Sequence, residues 1–173
     1  MGWGTSHAYM KLSDKLEDED PPSIIIYTMI PHHVRRNYIL KEWVERLNQF
    51  DRGHPHFELI NGEPVFQGII DVSDGAEDVP STRQIELSLT SAFLDQMRTK
   101  AKQAKIRFVV IFLEALPPYE VIRGLVKNDV SVLDLTSLEL EGFAGDQHPN
   151  PQDHERIAEA ISRSFVAQIL SDQ

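Results

Sequence analysis

The sequence predicts an α/β fold built on a parallel sheet, and three observations carry that expectation. Two continuous apolar, β-branched runs, residues 23–30 and 107–113, read as strands buried on both faces, as parallel sheets require. Amphipathic segments of helical length alternate with them, which points to crossover connections rather than a meander. The composition is ordinary for a globular chain: 173 residues, 41% hydrophobic and 25% charged. That length suits one domain with a core able to fold without staples.

The elements follow in order. Thr5 to Glu17 spaces Ala8, Leu12 and Leu16 as one helical face, with Thr5 as the expected N-cap, until an acidic run (Glu17 to Asp20) and Pro21-Pro22 end it. The first strand, Ser23 to Ile30, stops at Pro31. Val34 to Leu47 reads as a helix with Ile39, Leu40, Trp43, Val44 and Leu47 on one side. A β-hairpin is expected over about 56–68, because Asn61-Gly62 suits the two positive-φ positions of a type I′ turn. It reads as an insertion beside the main sheet. Residues 71–80 form an acidic loop.

Ser81-Thr82-Arg83-Gln84 has capping-box form, and Ile85, Leu89, Phe93 and Met97 then repeat every four residues in a helix ending near Lys105. The second strand is Arg107 to Leu113. Pro117-Pro118 opens a short helix with Val121, Ile122 and Leu125, and Asn128-Asp129 leads into a third strand, Val130 to Leu135. The last helix spans about Pro151 to Leu170. In such sheets chemistry gathers beyond the C-terminal strand ends, here residues 30–36, 114–118 and 135–149.

Composition also excludes classes. With no cysteine there is no disulfide framework, thiol nucleophile or thiolate metal site. A net charge of −10 opposes nucleic-acid binding, which needs a basic face, and docking on anionic membranes. No apolar run reaches the ~20 residues of a membrane span. Met1-Gly2-Trp3-Gly4 is not the start of a signal peptide, and localisation stays open.

The stretch richest in chemistry is Gly145-Asp146-Gln147-His148-Pro149-Asn150-Pro151, followed by Asp153, His154, Ile157 and Ala158. A carboxylate beside an imidazole can hold it in the tautomer that leaves the other nitrogen free as a base. The stretch resembles the last conserved block of the SGNH/GDSL hydrolases. Asp146, His148, Pro149, Asn150, His154, Ile157 and Ala158 match it. The resemblance implies that His148 is the general base and that Asp146 orients it. One residue rather than the commoner two separates them, and Asp153 stands where the family usually has glycine.

Two further stretches are similar to blocks of that family, and in family order. Ile25 to Asn37 resembles a branch whose third block reads as an aromatic strand followed by His-x-x-Arg. In better-known members an asparagine amide after this strand helps bind the oxyanion, and a histidine N–H can supply the same hydrogen bond; the resemblance leaves His32 and His33 as the candidates, and the register with Arg36 favours His33. Gly2-Trp3-Gly4-Thr5, with Ala8 and Leu12, resembles the second block, which implies that the Gly2 backbone N–H serves the oxyanion hole.

The first block, Gly-Asp-Ser with the nucleophile, has no counterpart here, and Ser6, Ser81 and Ser137 do not follow a buried strand. The resemblance therefore implies a flavodoxin-like three-layer sheet of order close to 2-1-3-4-5 lacking its first two strands: a single partial domain, N-terminally truncated and inactive alone. Its intact form would hydrolyse a small-molecule ester through an acyl-enzyme, without metal or cofactor. The edge at 24–30 would be covered by self-association or by the hairpin. Two other readings compete. A zinc centre would draw on His32, His33, His54 and His56 with Asp71, Asp74 and Asp146, although His54 and His56 read as flanking a proline in a polar loop. A non-catalytic binding module would use the open sheet edge.

Overall fold

In the computed structural model, the residues described are 4–37, 54–70, 83–114, 131–143 and 148–171. Three parallel strands, β1 (Ile24–Met29), β4 (Arg107–Phe112) and β5 (Ser131–Asp134), form a sheet in the order β1-β4-β5. The register runs from Ile24 opposite Arg107 to Met29 opposite Phe112, and from Val109 opposite Ser131 to Phe112 opposite Asp134. A separate two-stranded antiparallel sheet holds β2 (His54–Ile60) and β3 (Glu63–Ile70). Among the described residues four helices accompany them: α1 (Thr5–Leu16), α2 (Pro31–Arg35), α3 (Arg83–Gln103) and α4 (Pro151–Ser171).

Alternation along the strands divides the core between two faces, as a pleat demands. Tyr27, Met29, Phe108, Val110 and Phe112 pack with Leu12 of α1 and Leu87, Leu94, Met97 and Ala101 of α3. Val109, Ile111 and Leu113 pack with Leu135 and Ile157, and Ile161 and Phe165 of α4 border them. The result is three layers. α3 is apolar on two sides, because Leu89 and Phe93 meet Phe57 of the hairpin. This explains why Ile85, at the expected spacing, is instead exposed: the sheet is met by Leu87, Leu94 and Ala101, seven residues apart.

Several sequence expectations need adjustment. Thr5 is not the N-cap of α1; Gly4 is, and Thr5 begins the helix. Pro31 does more than end β1. It opens α2, where a missing N–H costs nothing, so that helix starts before Val34. Residues 38–53, with the remainder of the expected Val34–Leu47 helix, lie outside the described residues, as do the loop at 71–80 and the helix after Pro117-Pro118. The hairpin turn has Asn61 at φ 54° and Gly62 at φ 84°, the pair of positive values Asn-Gly tolerates. Its strands run past the expected bounds and take in His54 and Pro55 opposite Ile70 and Ile69, since Pro55 lies in a two-stranded sheet where a missing N–H can face outward. Among the described residues no helix is long and apolar enough to cross a membrane.

Candidate functional site

Helix direction decides which end of the sheet the candidate residues occupy. On α4, Ile157 joins the buried cluster with Val109, Ile111 and Leu113, while the Phe165 ring lies 5.1 Å from the guanidinium of Arg107, the first residue of β4. The helix therefore runs antiparallel to the strand. From Phe165 back to Pro151 is roughly 21 Å of helix, against roughly 17 Å of strand from Arg107 to Phe112. Residues 148–151 thus stand by the C-terminal ends of the strands. α1 runs the same way against β1: Lys15, Leu12 and Ala8 border Ile24 to Tyr27, and its first turn reaches the residues that follow β1. Three segments that the sequence singles out converge on one end of the sheet.

At that end a buried polar network joins the start of α1 to α2. The Tyr27 hydroxyl lies 3.0 Å from Thr5 Oγ1 and 3.1 Å from His33 Nδ1, and the His33 and Tyr27 rings stack at 5.8 Å between centroids. Thr5 and Ser6 are fully buried. The Ser6 amide donates to Asn37 Oδ1 at 2.9 Å, and Asn37 Nδ2 donates to Thr90 Oγ1 at 2.8 Å, which itself donates to the Glu86 carbonyl. One amide side chain thereby ties α1, the end of α2 and α3 together. Gly4 is needed here for space: a Cβ would stand 2.8 Å from the carbonyl carbon and oxygen of Arg36. Its φ of −102° is open to any residue.

The two adjacent histidines separate cleanly. His33 is half-buried and held by Tyr27; His32 is exposed. Burial pushes the His33 imidazole down to about 4, with Arg36 and His32 adding to the effect, so it is neutral near pH 7. Burial likewise raises the Tyr27 phenol above its usual range, against the opposing effect of its hydrogen bond with Thr5. His33 is therefore a neutral hydrogen-bonding group rather than a cation.

Half-buried His7 and buried His54 form a second pair. Their rings meet edge to face at 5.1 Å. His7 Nδ1 accepts from the Gly4 amide, and burial, aided by His54, pushes it down to about 4. His54, expected in a polar loop, is buried in β2 with its nitrogens 2.9 Å from the carbonyls of Pro55 and Arg36. Burial lowers its pKa even though both carbonyls favour the protonated ring. These histidines are accounted for by packing and capping. Among the described residues no three His, Asp or Glu side chains gather as a metal site; Asp71, Asp74 and Asp146 lie outside them.

His148 is exposed, and its carbonyl accepts from the Phe143 amide at 3.1 Å. Asp146 and Gly2 also lie outside the described residues, so neither the Asp146–His148 pair nor a Gly2 N–H can be given a geometry. The network partners Thr5, Tyr27, Asn37 and Thr90 went unrecognised in the sequence. Thr5, Tyr27 and Asn37 fall within the stretches that resemble the second and third blocks, but nothing in them marks a shared network, and Thr90 carries no signal at all. Asp153 is a further omission: it is fully buried, and its carboxylate accepts from the amides of Glu141, Gly142 and Asn150. No protein-family model, curated protein or solved structure matches this chain.

Proposed function

We propose that this chain carries the oxyanion-side and Asp–His elements of an SGNH/GDSL-type ester hydrolase with a flavodoxin-like sheet. One observation carries the reading: the start of α1, the residues after β1 and the residues before α4 all lie at the C-terminal end of a parallel sheet. The order β1-β4-β5 supports it too, being what an order of 2-1-3-4-5 leaves without its first two strands.

In this mechanism a serine oxygen, supplied in the intact form by residues outside this sequence, attacks the ester carbonyl. His148 takes the serine proton, with Asp146 accepting a hydrogen bond from the other ring nitrogen. The tetrahedral oxyanion receives hydrogen bonds from the Gly2 amide and from His33. His148 then passes the proton to the departing alcohol, and water repeats the sequence on the acyl-enzyme. On this reading the 173-residue chain alone lacks that serine, and the expectation is that it shows no turnover.

The test is the coding sequence ahead of Met1. An in-frame Gly-Asp-Ser, joined to this chain, should give a protein that hydrolyses short-chain esters. His148→Ala in that protein should lower turnover by on the order of 10⁴-fold with the far-UV circular dichroism unchanged. Unaltered turnover in the mutant removes His148 from the mechanism and this reading with it.

A second reading, a non-catalytic interaction module, rests on the edge of β1. Among the described residues β1 pairs with β4 alone, and Ile26 is 42% exposed. A groove of about 350 Å³ is lined by four consecutive β1 residues, Ile24 to Tyr27, with Leu12 and Met97. A hydrophobic strand edge of this kind suits self-association, and the native mass distinguishes the two readings.

A further inference from the structure

Asp153 holds more of the chain than a helix cap requires. In a capping box the carboxylate at the third helical position reaches back to the N-cap amide. Asp153 does this: Oδ2 accepts from the Asn150 amide at 3.0 Å, while Asn150 Oδ1 accepts from the Asp153 amide at 2.9 Å. The same carboxylate also accepts from amides earlier in the chain, Gly142 on Oδ2 at 2.8 Å and Glu141 on Oδ1 at 3.0 Å. Asn150 Nδ2 adds a bond to the Gly142 carbonyl at 3.0 Å. Arg156 spans the outside, donating to the Glu139 carbonyl and to Glu141 Oε1.

Both ends of the segment 141–150 are therefore fastened to one buried carboxylate, and His148 lies between them. Burial alone would raise the Asp153 pKa. The three backbone N–H groups and Arg156 outweigh that effect and hold it below the usual carboxylate range, so the clamp is anionic at neutral pH.

We infer that Asp153 is a positioning residue: it ties Glu141 and Gly142 to Asn150 at the first turn of α4 and thereby fixes the backbone of His148, whose carbonyl accepts from the neighbouring Phe143 amide. Its value for catalysis, though not the clamp itself, rests on the hydrolase reading. Glycine, which the SGNH/GDSL resemblance leads one to expect here, has no carboxylate to do this.

Asp153→Asn tests it on the 173-residue chain. The amide side chain has one acceptor oxygen, so an NH₂ must face at least one backbone N–H. Hydrogen exchange at Gly142, Phe143 and Asn150 should accelerate by about tenfold or more, while the amides of Val110 and Ile111 keep their protection. Asn150→Ala, a milder change, should accelerate Gly142 and Phe143 less. Unchanged exchange at Gly142 and Phe143 in Asp153→Asn overturns the inference. If that variant does not fold, unchanged exchange in Asn150→Ala overturns it instead.

The His148 side-chain N–H resonance separates this from the parent reading. A protected Nδ1–H in the wild type that disappears in Asp153→Asn supports both. Its persistence there, with the loop amides released, overturns the positioning of His148. Its absence from the wild type, with the amides responding as expected, leaves the clamp standing and removes the Asp146–His148 pair.

Discussion

The Tyr27 hydroxyl stands 3.1 Å from Nδ1 of His33 and 3.0 Å from Oγ1 of Thr5, linking the strand that ends at Met29 to the helices on either side of it in sequence. A phenol has a single proton, so it donates to one partner and accepts from the other. Removing the oxygen leaves two polar groups without that partner in a buried site. Tyr27→Phe should therefore cost about 1–3 kcal/mol, read as a lower urea midpoint at unchanged slope. The ring stack with His33 survives this substitution, so a loss near zero would mean that the hydroxyl contributes nothing.

Acid should weaken the fold in a defined window. His7 and His33 titrate near 4 when folded, against 6.5 when unfolded. Between those values the unfolded chain binds more protons, so stability rises with pH there. It is fully present above about 6.5, declines as pH falls toward about 4, and gains no further loss from these two groups below that. Urea midpoints from pH 4 to 8 should show this slope. His7→Gln and His33→Gln should each flatten it; an equally steep profile in both would assign the acid sensitivity to other groups.

The strands and the hairpin turn were legible because their signals are local. Ile24 to Met29 and Arg107 to Phe112 are continuous apolar runs, and Asn61-Gly62 meets a φ requirement within two residues. The network at the sheet's end was not legible. Asn37 joins Ser6 and Thr90, 31 and 53 residues away, and nothing in a polar side chain marks its partner at such separations. His54 looked like part of a polar loop beside Pro55, yet it is buried because Arg36 and Pro55 present carbonyls to its ring. Asp153 shows the opposite case. Its departure from the resembled pattern was visible as a letter, but its meaning required the folded positions of Glu141 and Gly142.

Crowding at the start of α1 gives another prediction. The Gly4 Cα faces the Arg36 carbonyl so closely that a methyl would meet backbone at 2.8 Å and Asn37 Oδ1 at 2.9 Å. Backbone cannot swing aside as a side chain can. Gly4→Ala should destabilise by about 1–3 kcal/mol, although Gly4 needs no unusual φ; alanine is also the poorer residue at an N-cap. Asn37→Ala should cost a similar amount by stranding the buried Ser6 amide and removing the amide that donates to Thr90 Oγ1. Because both substitutions act on one contact region, the double variant should lose less than the sum of the singles. Strict additivity in urea titrations would contradict a shared network.

The edge of β1 decides whether the chain associates through its sheet. A strand edge with exposed apolar side chains is a template for another strand, and a single lysine on such an edge is enough to discourage pairing because its charge would be buried. Ile26 is the exposed apolar residue of this strand, lying among the residues that line the groove. Ile26→Lys should leave the monomer's stability within about 0.5 kcal/mol, since an exposed side chain has little packing to lose. If copies pair along β1, the wild type should sediment as a concentration-dependent dimer and Ile26→Lys as a monomer over the same range. A dimer that resists this substitution places the contact elsewhere, and a wild type monomeric at every concentration leaves the edge covered within its own chain.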